Sequence, residues 1–214
     1  MAGKSYGQFC GLARALDVVG DRWNLLIVRE LLIGPARFGQ LRVGLPSIAT
    51  NLLADRLKDL EGHGVIERRL AEDGNAIAYA LTPWGQQLQE AIDALIRWST
   101  PVMRYGRRAD SFDPRWLVPA LHALLADRRT STPVTLVVLV DGIHIQVAVD
   151  GDGPHVQVLD EPPDGAAVLR ATPETALALA AGAITPEHAA AVSDNPADQV
   201  AIHTVFGPSF TRSE

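Results

Sequence analysis

From Leu45 to Arg69 the chain reads LPSIATNLLADRLKDLEGHGVIERR, and its polar residues fall into two chemical sets. Ser47, Thr50, Asn51 and Ala54 are small. They open the solvent side of a helical pattern whose apolar side is Ala49, Leu53, Leu57 and Leu60. Small groups there let a helix approach base edges closely, whereas Lys or Glu would hold it away. Asn51 is the candidate reader, because a side-chain amide pairs bidentately with adenine. The second set is cationic. Arg56 and Lys58 lie further along the same helix, with Arg37 ahead of it, in positions that suit phosphates. Arg68 and Arg69 follow it, placed for backbone or minor-groove contact. Arg56 borders the apolar seam, so the alternative to its phosphate role is pairing with Asp55, Asp59 or Glu30 as a structural ion.

A recognition helix needs a frame, and the flanking sequence supplies one. Residues 9–19 repeat Leu12, Ala15, Leu16 and Val19 at helical spacing. Asp21 is a candidate cap for a second helix over residues 22–32, with Trp23, Leu26, Ile27 and Leu31 on its apolar face. Gly34-Pro35 breaks it, and FGQLRVGL is a short third helix packing on Phe38 and Leu41. Ser47 is the expected N-cap of the fourth helix, which Gly62 or Gly64 ends. VIERRLA and IAYALT then form a hairpin about Asp73-Gly74. Thr82-Pro83 opens a long helix over residues 84–104, with Leu88, Ile92, Leu95 and Trp98 in line. Three helices, a recognition helix, a hairpin and a long helix make a winged helix-turn-helix, expected to bind double-stranded DNA.

Charge divides the 214 residues in two. Residues 1–109 hold 14 Lys+Arg against 11 Asp+Glu, a balance of +3; residues 110–214 hold 5 against 14, a balance of −9, which together make the chain's −6. An acidic half is poorly suited to lie along phosphates. The basic, broken stretch RYGRRADSFDPR is the expected linker between a domain over residues 1–107 and another over residues 114–214. One cysteine excludes an internal disulfide framework, and nothing approaches an apolar membrane span or a signal-peptide core, so a cytoplasmic protein is expected.

The stretches GDRWNLLIVREL, GPARFGQLR, LADRLKDLEGHGVIER and YALTPWGQQL, with Cys10 ahead of them, resemble the HxlR family of bacterial transcriptional regulators, relatives of the MarR group. The resemblance runs from about residue 8 to 105. It implies a homodimer on an inverted-repeat operator, formed by the first helix through Leu12 and Leu16 and by the long helix through Leu88, Ile92 and Leu95. Asn51 departs from the family, which often carries Lys or another basic residue there, so the family's base preference does not transfer. Cys10 matches a position that in some such regulators senses oxidants or electrophiles. That chemistry requires a lowered thiol pKa, and Cys10 starts a helix with Arg14 one turn on. The competing role is a small apolar residue at the dimer seam.

Residues 114–214 give a helix, strands VTLVVLV, HIQVAV, HVQVL and AVLR separated by Asp-Gly turns, a helix TPETALALAAGAIT entered through Thr172 and Pro173, and a tail with Phe206 and Phe210. Together with the first region this makes an α+β protein. The expectation is consecutive antiparallel strands with helices on one face, and enough apolar strand positions that both faces can be covered. The pattern resembles the sterol carrier protein fold, which implies an apolar space for a lipid-like ligand. That space either holds an effector or is filled by the protein's own side chains. Given the local −9, the expected effector is apolar, and neutral or cationic. Two further classes stay open: a small-molecule carrier whose winged helix serves protein contacts, and an enzyme using His144 or His155 as base. No partner constellation supports a catalytic role, no His or Cys spacing suggests a metal, and no cofactor is expected.

Overall fold

The computed structural model describes residues 5–71, 74–103, 106–107, 109–187 and 195–207. The chain forms two compact units, residues 1–92 and 93–214.

In the first unit, α1 (Gly11–Val19) is followed by α2 (Asn24–Ile33), α3 (Phe38–Gly44) and α4 (Thr50–Gly62). Helix α1 begins two residues later than its apolar pattern predicts and buries Ala13 and Val19, leaving Leu12, Ala15 and Leu16 exposed. Helix α2 begins at Asn24 rather than Arg22. Asp21 does not cap it, because the Asp21 carboxylate is engaged by Arg56. Asn24 is buried and donates to the Val18 carbonyl at 2.9 Å, which ties α2 to the end of α1. The buried side of α2 runs through Ile27, Val28 and Leu31, while Leu26 is exposed. Helix α3 closes on α2 so tightly that a Cβ on Gly44 would lie 2.2 Å from Glu30 Oε2.

Helix α4 buries Leu53, Leu57 and Leu60, as the pattern predicts. Its N-cap is Ala49, with no side-chain cap, and Ser47 lies outside the cap position. Gly64, at φ +75°, turns the chain out of the helix. Strands β1 (Ile66–Leu70) and β2 (Ile77–Leu81) pair antiparallel, with Arg68 opposite Tyr79 and Arg69 opposite Ala78. Asp73 lies outside the described residues. The predicted long helix is two helices, α5 (Pro83–Gln86) and α6 (Leu88–Met103), with the break at Gln87. Thr82 sets this corner. Its hydroxyl accepts from Gly85 N at 3.0 Å and donates to the Gly64 carbonyl at 2.7 Å. Gly85 is required by contact, since a Cβ there would sit 2.0 Å from the Val65 carbonyl oxygen.

In the second unit a 3-10 turn (Pro114–Trp116) leads into α7 (Leu117–Leu124). Strands β3 (Val134–Val140), β4 (Ile143–Val149), β5 (Pro154–Leu159) and β6 (Ala167–Arg170) form one sheet in the order β5-β4-β3-β6. The sheet is mixed. Strands β5, β4 and β3 are antiparallel neighbours, but β6 crosses over and pairs parallel with β3. One face carries Leu136, Val138, Val140, Ile145, Val147, Val149 and Leu169, all fully buried. The other carries Gln146 and Gln157, hydrogen-bonded to each other at 2.6 Å, beside a buried Val137. Helix α7 packs on β4 and β5, α8 (Pro173–Ala180) on α7, and α9 (Pro196–Phe206) on β3 and β6. Thr172 caps α8 by accepting from Thr175 N at 3.2 Å. Phe206 is buried, and Phe210 lies outside the described residues. The α6 residues of this unit are bound to α7: Asp93 Oδ2 lies 2.9 Å from His122 Nδ1, and Arg97 donates to the Ala123 carbonyl at 3.1 Å.

Candidate nucleic-acid interface

The apolar seam of α4 is anchored by Leu53, Leu57 and Leu60, so the helix can present only one side to solvent. That side carries Thr50, Asn51, Ala54 and Lys58, all exposed, and the turn ahead of it exposes Ser47. Because Ala49 caps nothing, the first amides of α4 point outward without a side-chain acceptor. Uncapped N–H groups and the positive end of the helix dipole form a ready phosphate site. The geometry therefore offers base-edge donors and acceptors on the helix side and backbone donors at its tip.

The cations divide by their partners. Arg56 is four-fifths buried, paired with Asp21 and 3.5 Å from Asp59, and its buried Nε has no partner. It serves as a structural ion in this arrangement, through Asp21 and Asp59 rather than Asp55 or Glu30. Arg68 pairs with Glu61 at 2.9 Å and stacks over Tyr79 at 5.7 Å. Arg69 is exposed on the opposite face of β1, since successive strand residues alternate sides. Arg37 is half-buried at the start of α3, where its backbone N–H donates to Gln40 at 2.7 Å. Arg42, in the last turn of α3, is also exposed. The sequence reading omits it, although its place one residue beyond the buried Leu41 was a usable signal.

The residues named for a dimer seam do not share one fate. Leu12, Leu16 and Leu95 are exposed and Leu88 is half-buried, but Ile92 is only 5% exposed and belongs to the protomer's interior. Phe9 and Trp98 are further exposed apolar groups, on which the sequence expectation of a dimer seam did not draw. Beside α1, Ala15, Val18, Val65, Trp84 and Leu88 line an open groove of about 730 Å³. Cys10 is exposed at the N-cap of α1, and the backbone N–H groups of Ala13 and Leu12 pull its thiol below the usual range. Asp17, further along α1, accepts from Tyr6 N at 2.8 Å and from Ser5 Oγ at 2.9 Å.

In the second unit a cavity of about 370 Å³ opens where the C-terminal ends of α7, α8 and α9 meet. His144 and His155 do not converge. They stand opposite Leu159 and Ala148 respectively, and His155 lies 3.6 Å from Asp150. Among the described residues no group of three or more His, Cys, Asp or Glu is placed to hold a metal, and no helix is long and apolar enough to cross a membrane.

Residues 18–106 match the family model described as HxlR-like helix-turn-helix. YvaP of Bacillus subtilis, an HTH-type transcriptional regulator, is 36% identical over 88 residues, covering 41% of this chain and 82% of that protein. YodB of Bacillus subtilis, also an HTH-type transcriptional regulator, is 37% identical over 86 residues, covering 40% of this chain and 77% of that protein. The solved structure of quinone-bound YodB from B. subtilis aligns at 33% identity and a TM-score of 0.38, covering 42% of this chain and 96% of that one.

Proposed function

The chain belongs to the HxlR-like helix-turn-helix family of DNA-binding transcriptional regulators, and we propose that it works in the cytoplasm as a homodimer on an inverted-repeat operator. The observation that carries this reading is the N-terminal side of α4: small polar side chains exposed over uncapped amides, with an apolar seam locked behind them. Ser47, Thr50, Asn51 and Ala54 face base edges in this reading. Lys58, Arg69 and Arg37 serve phosphates, Arg68 is held back by Glu61, and Arg56 supports the helix from behind. Exposed Leu12, Leu16 and Leu95 supply the dimer seam, and two such copies present two recognition helices to one two-fold operator.

Residues 1–107 are the DNA-binding and dimerisation domain in this reading, and residues 114–214 an effector domain of sterol-carrier-like order. The cavity at the ends of α7, α8 and α9 supports effector binding. A ligand regulates only by binding the DNA-competent and DNA-incompetent forms with different affinity, so operator and ligand must change each other's affinity by the same factor. Cys10 lies at the start of the exposed α1 seam, and any disulfide it forms is intermolecular, since the chain has one cysteine.

Fluorescence anisotropy with DNA from the region upstream of the protein's own gene tests the reading. Asn51→Ala is expected to weaken specific binding by about 1–3 kcal/mol and random-sequence binding by little. Equal losses on both DNAs would remove Asn51 as a base reader. Wild-type binding that ignores salt would remove the DNA interface altogether.

A further inference from the structure

The second unit's cavity contains a cation in an unusual setting. Its walls include Leu124, Ala180, Ile184 and Phe206, and Arg128 and Asp127 also line it. Arg128 is half-buried, and its guanidinium donates one hydrogen bond, to the Gly207 carbonyl. It has no carboxylate partner among the described residues. Arg29, Arg56, Arg68 and Arg115 each have an acidic partner. A guanidinium carries five N–H donors, so among the described residues most of Arg128's have no acceptor. Burial alone pushes the Arg128 guanidinium down from its usual range, with no acid to offset it. Asp127, its sequence neighbour, is exposed and therefore solvated. The C-terminal ends of α7, α8 and α9 meet here, where helix dipoles favour a cation, and the Gly207 carbonyl at the end of α9 accepts from it.

We infer that this cavity binds an organic anion with a compact apolar body, its carboxylate or phosphate paired with Arg128 and its body packed on Leu124, Ile184 and Phe206. The inference rests on the effector reading of residues 114–214 and specifies the ligand class. It also reverses the sign that net charge suggests. The −9 of residues 110–214 is a sum over a whole domain. Exposed charges further away than about 8–10 Å are screened at ordinary salt, so the half-buried group inside the cavity decides. A volume of about 370 Å³ lies at the small end of ligand sites and suits a bicyclic aromatic acid.

The test uses the full chain and three probes that share one fluorescent body: 2-naphthoate, 2-naphthylmethanol and 2-naphthylmethylammonium. Wild type is expected to bind the anion most tightly. Arg128→Met is expected to weaken naphthoate about tenfold to a hundredfold, the usual worth of a charge-assisted hydrogen bond, and to leave the alcohol unchanged. Arg128→Lys should restore part of the loss. Circular dichroism melting checks that each variant is folded. Should Arg128→Met fail to fold, Ala181→Leu, which narrows the cavity from an exposed wall position, is expected to weaken all three probes. The inference is overturned if the alcohol or the ammonium binds wild type as tightly as naphthoate, if Arg128→Met leaves naphthoate binding intact, or if no probe binds. Naphthoate binding that leaves operator affinity unchanged would uphold the site and refute only the sensing reading.

Discussion

Arg68 and Arg69 are neighbours in sequence, but the structure gives them different surroundings, and the proposed DNA contact should feel the difference. Each cation that neutralises a phosphate steepens the log–log salt slope by about 0.9. Between 50 and 200 mM salt one such contact is therefore worth about 3.5-fold in affinity, or roughly 0.7 kcal/mol. Arg69 is exposed and has no acidic partner among the described residues, so Arg69→Ala is expected to flatten the slope by about 0.9. Arg68 is paired with Glu61 at 2.9 Å, with the two side chains 51% and 33% exposed, and it stacks on Tyr79. An ion pair so exposed is worth about 0.2–1 kcal/mol, comparable to the phosphate contact it would have to give up that pair to make. Arg68→Ala should therefore change the slope by less than about half a unit. Glu61→Gln should release Arg68 and steepen the slope instead. Anisotropy titrations on random-sequence DNA at four or more salt concentrations measure all three. Equal flattening by both alanines would refute the argument from pairing, and an unchanged slope in Arg69→Ala would place the hairpin away from the backbone.

Three further outcomes are expected. Leu12→Asp puts a charge on an exposed α1 position and should yield folded monomers by light scattering, whereas Ile92→Asp should unfold the protomer, because Ile92 is buried; a dimeric Leu12→Asp would move the seam elsewhere. Gly85→Ala forces a Cβ to within 2.0 Å of the Val65 carbonyl and should lower stability by about 1–3 kcal/mol in urea titrations, while Gly39→Ala, with open space around it, should change little. The backbone N–H of Tyr6 holds the Asp17 carboxyl below its usual range. Its contribution is thus present above the unfolded pKa and lost as pH falls through the lower folded one. The Tyr6 amide resonance should move below about pH 4, at more acidic pH than for a model carboxylate. A midpoint at or above that of a free aspartate would contradict the hydrogen bonds to Asp17.

Local patterns were readable where one force dominated. Leu53, Leu57 and Leu60 repeat at helical spacing and are buried, and Gly74, at φ +68°, lies where the Asp-Gly signal sets the hairpin. Misreadings arose where a distant residue competes for a group. Asp21 has the right chemistry for a cap but pairs with Arg56, which is distant in sequence. Arg56 itself was legible only as a choice between phosphate and carboxylate. Ser47 is a good capping residue, yet the turn in which Ile48 N donates to the Leu45 carbonyl at 3.1 Å moves the cap to Ala49. Ile92 shares its spacing with Leu88 and Leu95, and spacing alone does not separate a protomer's interior from a partner's surface. The unspent donors of Arg128 were invisible because three helix ends, far apart in the sequence, create its surroundings.

The parallel pairing of β6 with β3 has a consequence for biosynthesis. Strands β3, β4 and β5 follow one another as antiparallel neighbours and can zip up as they leave the ribosome. The open edge of β3 must then wait while β4, β5 and the segment before Ala167 are made, and only afterwards does Leu136 meet Ala167. Helix α9, which covers β3 and β6, is translated later still. Until then the apolar side of the sheet, from Leu136 to Val149, lacks one of the two helices that pack on it. The winged unit, whose internal contacts are all encoded ahead of Asp93, has no such delay. A nascent chain therefore completes its winged unit first and its mixed-sheet unit last, and the interval between them is when the β3 edge is open to pairing with another chain.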